Sequence, residues 1–253
     1  MSTNPKIARF FITDFRELHT LVNKTAIRTK ADIIKLLLVT LKNLIINNDA
    51  NDEDKGEVSI IIEKSSRVYY ISKFPGELPK KYFSFVFPFF LEQSPEQDWI
   101  IKCKSSNEII TSELIDVLLR LHERDWFEDN NLNSDDIDKF TCEYLDIISE
   151  YYTERNFIKG ERDSLDIAHW SIIKNLLTFE PSYIRYDYDD NEGRLNERSH
   201  PLNHLDIHYT TAGTFKLGFD SSNTRITDRV TFETFKDILE NGKMRDNLCY
   251  RLK

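Results

Sequence analysis

A chain of 253 residues with a formal charge of −9 is long enough for one large domain or two small ones. Its acidic balance argues against broad electrostatic binding of nucleic acid, which needs a basic face, and 40 % apolar residues with 17 phenylalanines exclude a disordered chain. Cys103, Cys142 and Cys249 stand far apart without metal-ligand spacing and read as reduced thiols. The start "MSTNPKIARFF" lacks the basic-then-apolar build of a signal peptide. The longest apolar stretches, "IIKLLLVTLKNLII" and "YFSFVFPFFL", are broken by lysine or proline and too short for a bilayer, so the expectation is a cytoplasmic protein with no membrane partner.

In chain order, "DFRELHTLVNKTAIRTKADIIKLLLVTLKNLIINN" predicts helix, break, helix. Ile33, Ile34, Leu37, Leu38, Leu41, Leu44 and Ile45 form its buried stripe. The Asn- and Asp-rich segment 47–56 is a loop. The period then shortens to two in "EVSIIIEK", "RVYYISKF", "KYFSFVFPFF" and "DWIIKCK", which predicts an antiparallel sheet of three or four strands. Tyr69, Tyr70, Phe83, Phe85, Phe87, Phe89 and Phe90 have the spacing of a base-stacking platform. Basic companions are thin here, which favours an aromatic core packed on helices.

Residues 107 to 178 return to helical periodicity, with Ser and Asn cap candidates at the first helix and Ser134-Asp135-Asp136-Ile137-Asp138 at the second. "DSLDIAHWSIIKNLLTF" makes a third helix after Gly160. His122 and His169, inside these helices, read as surface or satisfied core histidines. The acidic loop 128–138 separates a region 1–127 from a region 128–253, unless the two form one integrated domain.

The segment 182–220 concentrates the chemistry. "SYIRYDY" alternates Tyr183, Arg185 and Asp187 against Ile184, Tyr186 and Tyr188. "NHLDIHYT" alternates His204, Asp206, His208 and Thr210 against Leu205, Ile207 and Tyr209. A connection at Thr211-Ala212-Gly213 leads to "TFKLGF", with Lys216 opposite in sense to Phe215, Leu217 and Phe219. If the three strands share a sheet, their apolar sides face one core. Arg185, Asp187, His204, Asp206, His208 and Lys216 then converge on the other face, as candidate catalytic residues.

Imidazole and carboxylate are ordinary ligands for zinc, manganese or iron, and His200, His204, Asp206 and His208 are the candidate set for a divalent zinc or manganese ion. A flat strand separates i and i+2 side chains by about 6–7 Å and i and i+4 by about 13 Å. One strand therefore cannot supply three ligands. Either a neighbouring pair binds with His200 or Asp187 swinging in, or the strand is bulged. A metal-free site is the second reading: Asp206 or Asp187 orients a histidine while Arg185 and Lys216 hold an anion such as phosphate. On a third, structural reading, Arg185 pairs with Asp187 or Asp206, His204 bonds a loop, and the face packs on a polar partner.

No G-x-x-x-x-G-K-[ST], H-E-x-x-H or G-x-S-x-G occurs. Lys216 after Asp206 has the order of a carboxylate–lysine nuclease core, but Thr214 stands where that pattern has an acid. "RYDYDD…SHPLNHLDIHYTTAGTFKLGF" resembles, over about 40 residues, the C-terminal core of a bacterial domain family of unknown function, an Arg-x-Asp-Tyr strand joined to His-Pro-x-x-His-Leu-His-Ile. Arg185, Asp187, Tyr188, His200, Pro201, His204 and Leu205 match, whereas Asp206 replaces a histidine and "FKLGF" an Arg-Ile-Pro ending. The resemblance implies a bacterial, defence-associated protein and supplies no reaction.

The expected fold is α+β: a helical N-terminal pair, an antiparallel aromatic-rich sheet, a helical middle, and a small C-terminal antiparallel sheet closed by a helix with Phe232, Phe235, Ile238 and Leu239 on its apolar side. The expected function is hydrolysis of a phosphate-containing substrate, a nucleotide or nucleic acid. The alternative is a non-catalytic component that binds a protein partner in a bacterial multi-protein system.

Overall fold

The computed structural model describes residues 7–12, 27, 29–46, 57–63, 67–73, 78–94, 99–128, 137–154, 162–193, 196, 201–208, 213–218, 220–221, 224–225 and 229–240. In chain order the elements are β1 (Ile7–Ile12), α1 (Lys30–Ile46), β2 (Glu57–Glu63), β3 (Arg67–Lys73), β4 (Lys81–Val86), β5 (Phe89–Gln93) and β6 (Trp99–Cys103). There follow α2 (Ser112–Glu123), α3 (Ile137–Glu154), α4 (Arg162–Leu177), β7 (Tyr183–Tyr188), β8 (Asn203–His208), β9 (Thr214–Gly218), β10 (Asp220–Ser221), β11 (Thr224–Arg225) and α5 (Phe232–Glu240). The class is α+β. No helix among the described residues is long and apolar enough to cross a membrane.

These elements form two units that interleave along the chain. One holds α1, the β5–β6 hairpin and α2 to α4; the other holds β1 to β4, β7 to β11 and α5. Neither corresponds to a segment 1–127 or 128–253, because the chain leaves the second unit after β4 and re-enters it at β7.

In the helical unit, α1 opens on a reciprocal cap: Asp32 N donates to Thr29 Oγ1 at 3.1 Å and Thr29 N to Asp32 Oδ2 at 2.9 Å. Ile33, Ile34, Leu36, Leu37, Leu38, Val39, Leu41 and Leu44 are all buried, so α1 is a central helix apolar nearly all round rather than one with a single stripe. The buried Lys30 donates to the Leu177 carbonyl at the end of α4, where a cation suits the helix dipole. Thr111, rather than the Ser or Asn candidates, caps α2 by accepting from Leu114 N at 3.2 Å. Arg120 of α2 and Arg124 at its C-cap pair with Glu154 and Glu150 of α3. The helix expected over "DFRELHTLVNK", the loop 47–56 and the Ser134 to Asp136 cap lie outside the described residues.

The second unit is built on one seven-stranded sheet, ordered β1-β2-β3-β4-β7-β8-β9 and antiparallel at every step. Two expectations change here. The run "KYFSFVFPFF" is two strands in different units, because Pro88 has no N–H to donate to a ladder. The C-terminal strands do not stand apart either: β7 pairs with β4, Tyr82 against Tyr186 and Phe83 against Arg185, extending the aromatic sheet. β1 is a strand that the sequence pattern left unassigned.

One face of this sheet carries Tyr69, Tyr82, Tyr186 and Leu205, packed with Val230, Phe232, Phe235 and Leu239 of the α5 region. Tyr82 stacks on Tyr186 at 5.5 Å, and Tyr69 meets Phe235 edge-on at 6.5 Å. Ile238, expected beside them, has a side chain outside the described set. Tyr69, Tyr70, Phe83, Phe85, Phe87 and Phe89 are all buried and Phe90 is half-buried, so these rings are core and not an open stacking platform. The opposite face continues from Tyr70, Phe83 and Phe85 into Arg185, Asp187 and the polar residues of β8.

Candidate metal centre

Period-two alternation and register together assemble the site. β7 pairs with β8 so that Asp187 stands opposite His204, Arg185 opposite Asp206 and Tyr183 opposite His208. β8 pairs with β9 so that Lys216 stands opposite Asp206. Directly opposed residues on an antiparallel pair hold their Cβ atoms about 4.5–5.5 Å apart, close enough for all these side chains to meet. The ladder runs without a bulge through Asn203–His208.

Arg185 is the hub. Its Nε donates to Asp187 Oδ2 at 2.7 Å and its Nη2 to Asp206 Oδ2 at 2.5 Å. Lys216 Nζ lies 3.3 Å from Asp206 Oδ1. His204 Nε2 lies 3.6 Å from Asp187 Oδ2 and 4.0 Å from Asp206 Oδ1. On its other side, His204 Nδ1 is 2.9 Å from the Pro201 carbonyl. A carbonyl only accepts, so Nδ1 carries the proton and the lone pair of a neutral ring sits on Nε2, facing the two carboxylates.

The centre of the polar face is buried, contrary to the simple expectation that charged alternation points to water. His204 is 0 % exposed, Asp187 6 % and Asp206 8 %, while Phe215 on the opposite side of β9 is 46 % exposed. Two carboxylates matched by a guanidinium and an ammonium can leave water where a lone charge cannot. Burial acts to raise the Asp206 pKa, but Arg185, Lys216 and His204 outweigh it and hold the carboxyl below its ordinary range. Burial likewise acts to lower the Arg185 pKa and is overcome by Tyr183, Asp187 and Asp206, leaving it above the usual value. Burial lowers the pKa of His204 and His208, so both rings are neutral near pH 7, and it raises that of the Tyr183 phenol. Asp187 Oδ1, fully enclosed, has no hydrogen-bond partner among the described residues.

Asp187, His204 and Asp206 each offer a ligand atom, and these atoms lie within 4.8 Å of one another. With bonds of about 2.1 Å, donors at tetrahedral or cis-octahedral angles stand about 3.0–3.4 Å apart, so binding asks the most widely separated pair to close by up to about 1.5 Å. A histidine that donates its second ring N–H to a backbone carbonyl is oriented and held in the ligating tautomer. Two carboxylates and one imidazole form a borderline-to-hard donor set, suited to manganese, zinc or iron.

The structure thus gathers Arg185, Asp187, His204, Asp206 and Lys216. It leaves His208 four residues from His204, its ring edge-on to Tyr183 at 5.1 Å. His200 lies outside the described residues, as do Thr211 and Ala212 of the expected connection. Asp187, and not His208, stands beside His204 and Asp206. Its signal was present: an Arg-x-Asp strand antiparallel to a His-x-Asp strand brings Asp opposite His whenever Arg opposes Asp. The contacts of the structural reading, Arg185 to both carboxylates and His204 to a loop carbonyl, are present as well. Of the helical histidines, His122 bonds the Ala31 carbonyl at 3.0 Å, whereas His169 is buried with neither ring nitrogen bonded among the described residues. No family model, curated protein or solved structure matches the chain.

Proposed function

We propose that this chain binds a divalent cation, manganese or zinc, at Asp187, His204 and Asp206 and hydrolyses a phosphate-containing substrate, a nucleotide or nucleic acid. The observation that carries the reading is the convergence of two buried carboxylates on the lone-pair side of a histidine whose tautomer a backbone carbonyl fixes. Three acceptor groups close together repel unless cations lie beside them; Arg185 bonds the two Oδ2 atoms and Lys216 approaches Asp206 Oδ1, which leaves Asp187 Oδ1 without a hydrogen bond among the described residues. A dication at such a centre polarises a phosphoryl oxygen and lowers the pKa of a bound water. Arg185 bonds and aims both carboxylates, and Lys216, on the exposed side, is the cation available to the substrate's anionic oxygens. Tyr183 walls the centre on the β7 side.

A second reading has its own support. Asp187 and Asp206 against Arg185 and Lys216 sum to zero charge, so the network is also complete as a rigid platform for a protein partner in a multi-protein assembly. Elemental analysis of wild type and His204→Ala, with turnover assays on nucleotides and single- and double-stranded nucleic acids in Mn2+, separates the two. The hydrolase reading expects stoichiometric metal and turnover in wild type and neither in His204→Ala. Wild-type protein that holds no metal and turns nothing over would leave the platform reading.

A further inference from the structure

The cluster contains two cations of different kinds, and the inference drawn from them rests on the metal-centre reading above. Arg185 is fixed: its side chain is 18 % exposed and it bonds both Asp187 and Asp206. Lys216 is not. It stands on β9, at the end of the seven-strand order, with a side chain 43 % exposed, while the Asp206 carboxylate it approaches is 11 % exposed. Its Nζ comes to 3.3 Å from Asp206 Oδ1, the oxygen that Arg185 does not use. An ion bonded to that oxygen at about 2.1 Å would stand within roughly 5.4 Å of the ammonium. Three positive charges at that distance repel, and only the lysine has a flexible stem and open water to retreat into.

We infer that Lys216 is a displaceable counter-ion: it neutralises Asp206 in the metal-free protein, leaves when the dication enters, and in its displaced position holds the anionic group of the substrate. Two consequences follow from the same charge. While it rests on Asp206, the ammonium opposes metal binding. Once an anion draws it away from Asp206, that opposition is relieved, so metal and anion strengthen each other's binding by one and the same factor. The centre is thereby loaded most fully when an anionic substrate is present. Arg185, held between two carboxylates, cannot play this part.

Calorimetric titration of Mn2+, with Zn2+ in parallel, into wild type and Lys216→Met tests the inference. Each titration is run in chloride and in sulfate at matched ionic strength, sulfate standing for a phosphate group. Lys216→Met keeps an unbranched apolar stem and removes the ammonium, and its melting curve reports that it is folded. The expected result is at least about fivefold tighter metal binding by Lys216→Met than by wild type in chloride. Sulfate should tighten metal binding by a similar factor in wild type and leave Lys216→Met unchanged. Metal binding by Lys216→Met that equals or falls below wild type, or that keeps the sulfate response, overturns the counter-ion role and leaves the metal centre standing. Wild-type protein that takes up neither ion removes the metal centre itself.

Discussion

The two faces of the seven-stranded sheet bury polar atoms in opposite ways. On the α5 side, Tyr186 is fully buried, yet its hydroxyl donates to Asn203 Oδ1 at 2.6 Å and accepts from Val230 N at 3.0 Å. Burial lifts its pKa to about 12, so it stays a neutral phenol. On the other side, Arg185 joins two buried carboxylates, and Asp187 still keeps an oxygen without a hydrogen bond among the described residues. A neutral polar group in a core is completed by its neighbours and then acts only on stability. An ionised group left with an unused lone pair carries a standing electrostatic cost, which a bound cation would relieve.

The largest test of that contrast removes the hub. Arg185→Met leaves Asp187 without its counter-charge and Asp206 with Lys216 alone, and should cost about 3–5 kcal/mol in urea unfolding without added metal. Combining it with Asp187→Asn and Asp206→Asn should recover much of that loss, since the expense lies in the stranded charges and not in the contacts. A cost under about 1 kcal/mol for the single variant would show that the carboxylates reach water without Arg185.

His169, in the helical unit, extends the comparison to a buried group that is neutral but unbonded among the described residues. Burial pushes its pKa down to about 4. The unfolded chain therefore binds the proton first, so there is no proton-linked penalty well above about pH 6.5, and stability falls as the pH drops from there towards 4. Relative to His169→Phe, wild type should lose about 3 kcal/mol between pH 7 and pH 4, measured by denaturant midpoints at each pH. Parallel pH profiles for the two proteins would place the imidazole in contact with water or a partner group.

The smallest effect belongs to the completed face. Tyr186→Phe deletes the bridge between Asn203 and Val230 and should cost about 1–2 kcal/mol, with Mn2+ binding unaltered. A change in metal affinity there would couple the two faces and blur the distinction between them.

Much of this was legible before any coordinates. The strand type of 57–63, 67–73, 183–188, 203–208 and 214–218 follows from β-branched and aromatic alternation, and the helices after residue 107 follow from their period. The common face of Arg185, Asp187, His204, Asp206 and Lys216 also follows from alternation, once the three strands are allowed to be neighbours. What alternation cannot reveal is register across a connection. The choice of Asp187 over His208 beside His204 is settled by which residues face each other, not by spacing within one strand. The split at Pro88 was readable from proline's missing N–H, but the assignment of its two halves to different units was not.

The sequence by itself determined which residues lie on which side of each strand, because a two-residue period is local and each strand carries its own copy. Only the tertiary structure decided that β7 returns to pair with β4 across nearly a hundred intervening residues, and that Asp187, His204 and Asp206 are buried as deeply as Tyr186 and Leu205. Both depend on partners distant in the chain. A strand edge accepts whichever ladder the rest of the fold delivers, and a charge can be enclosed only when an opposite charge is delivered with it.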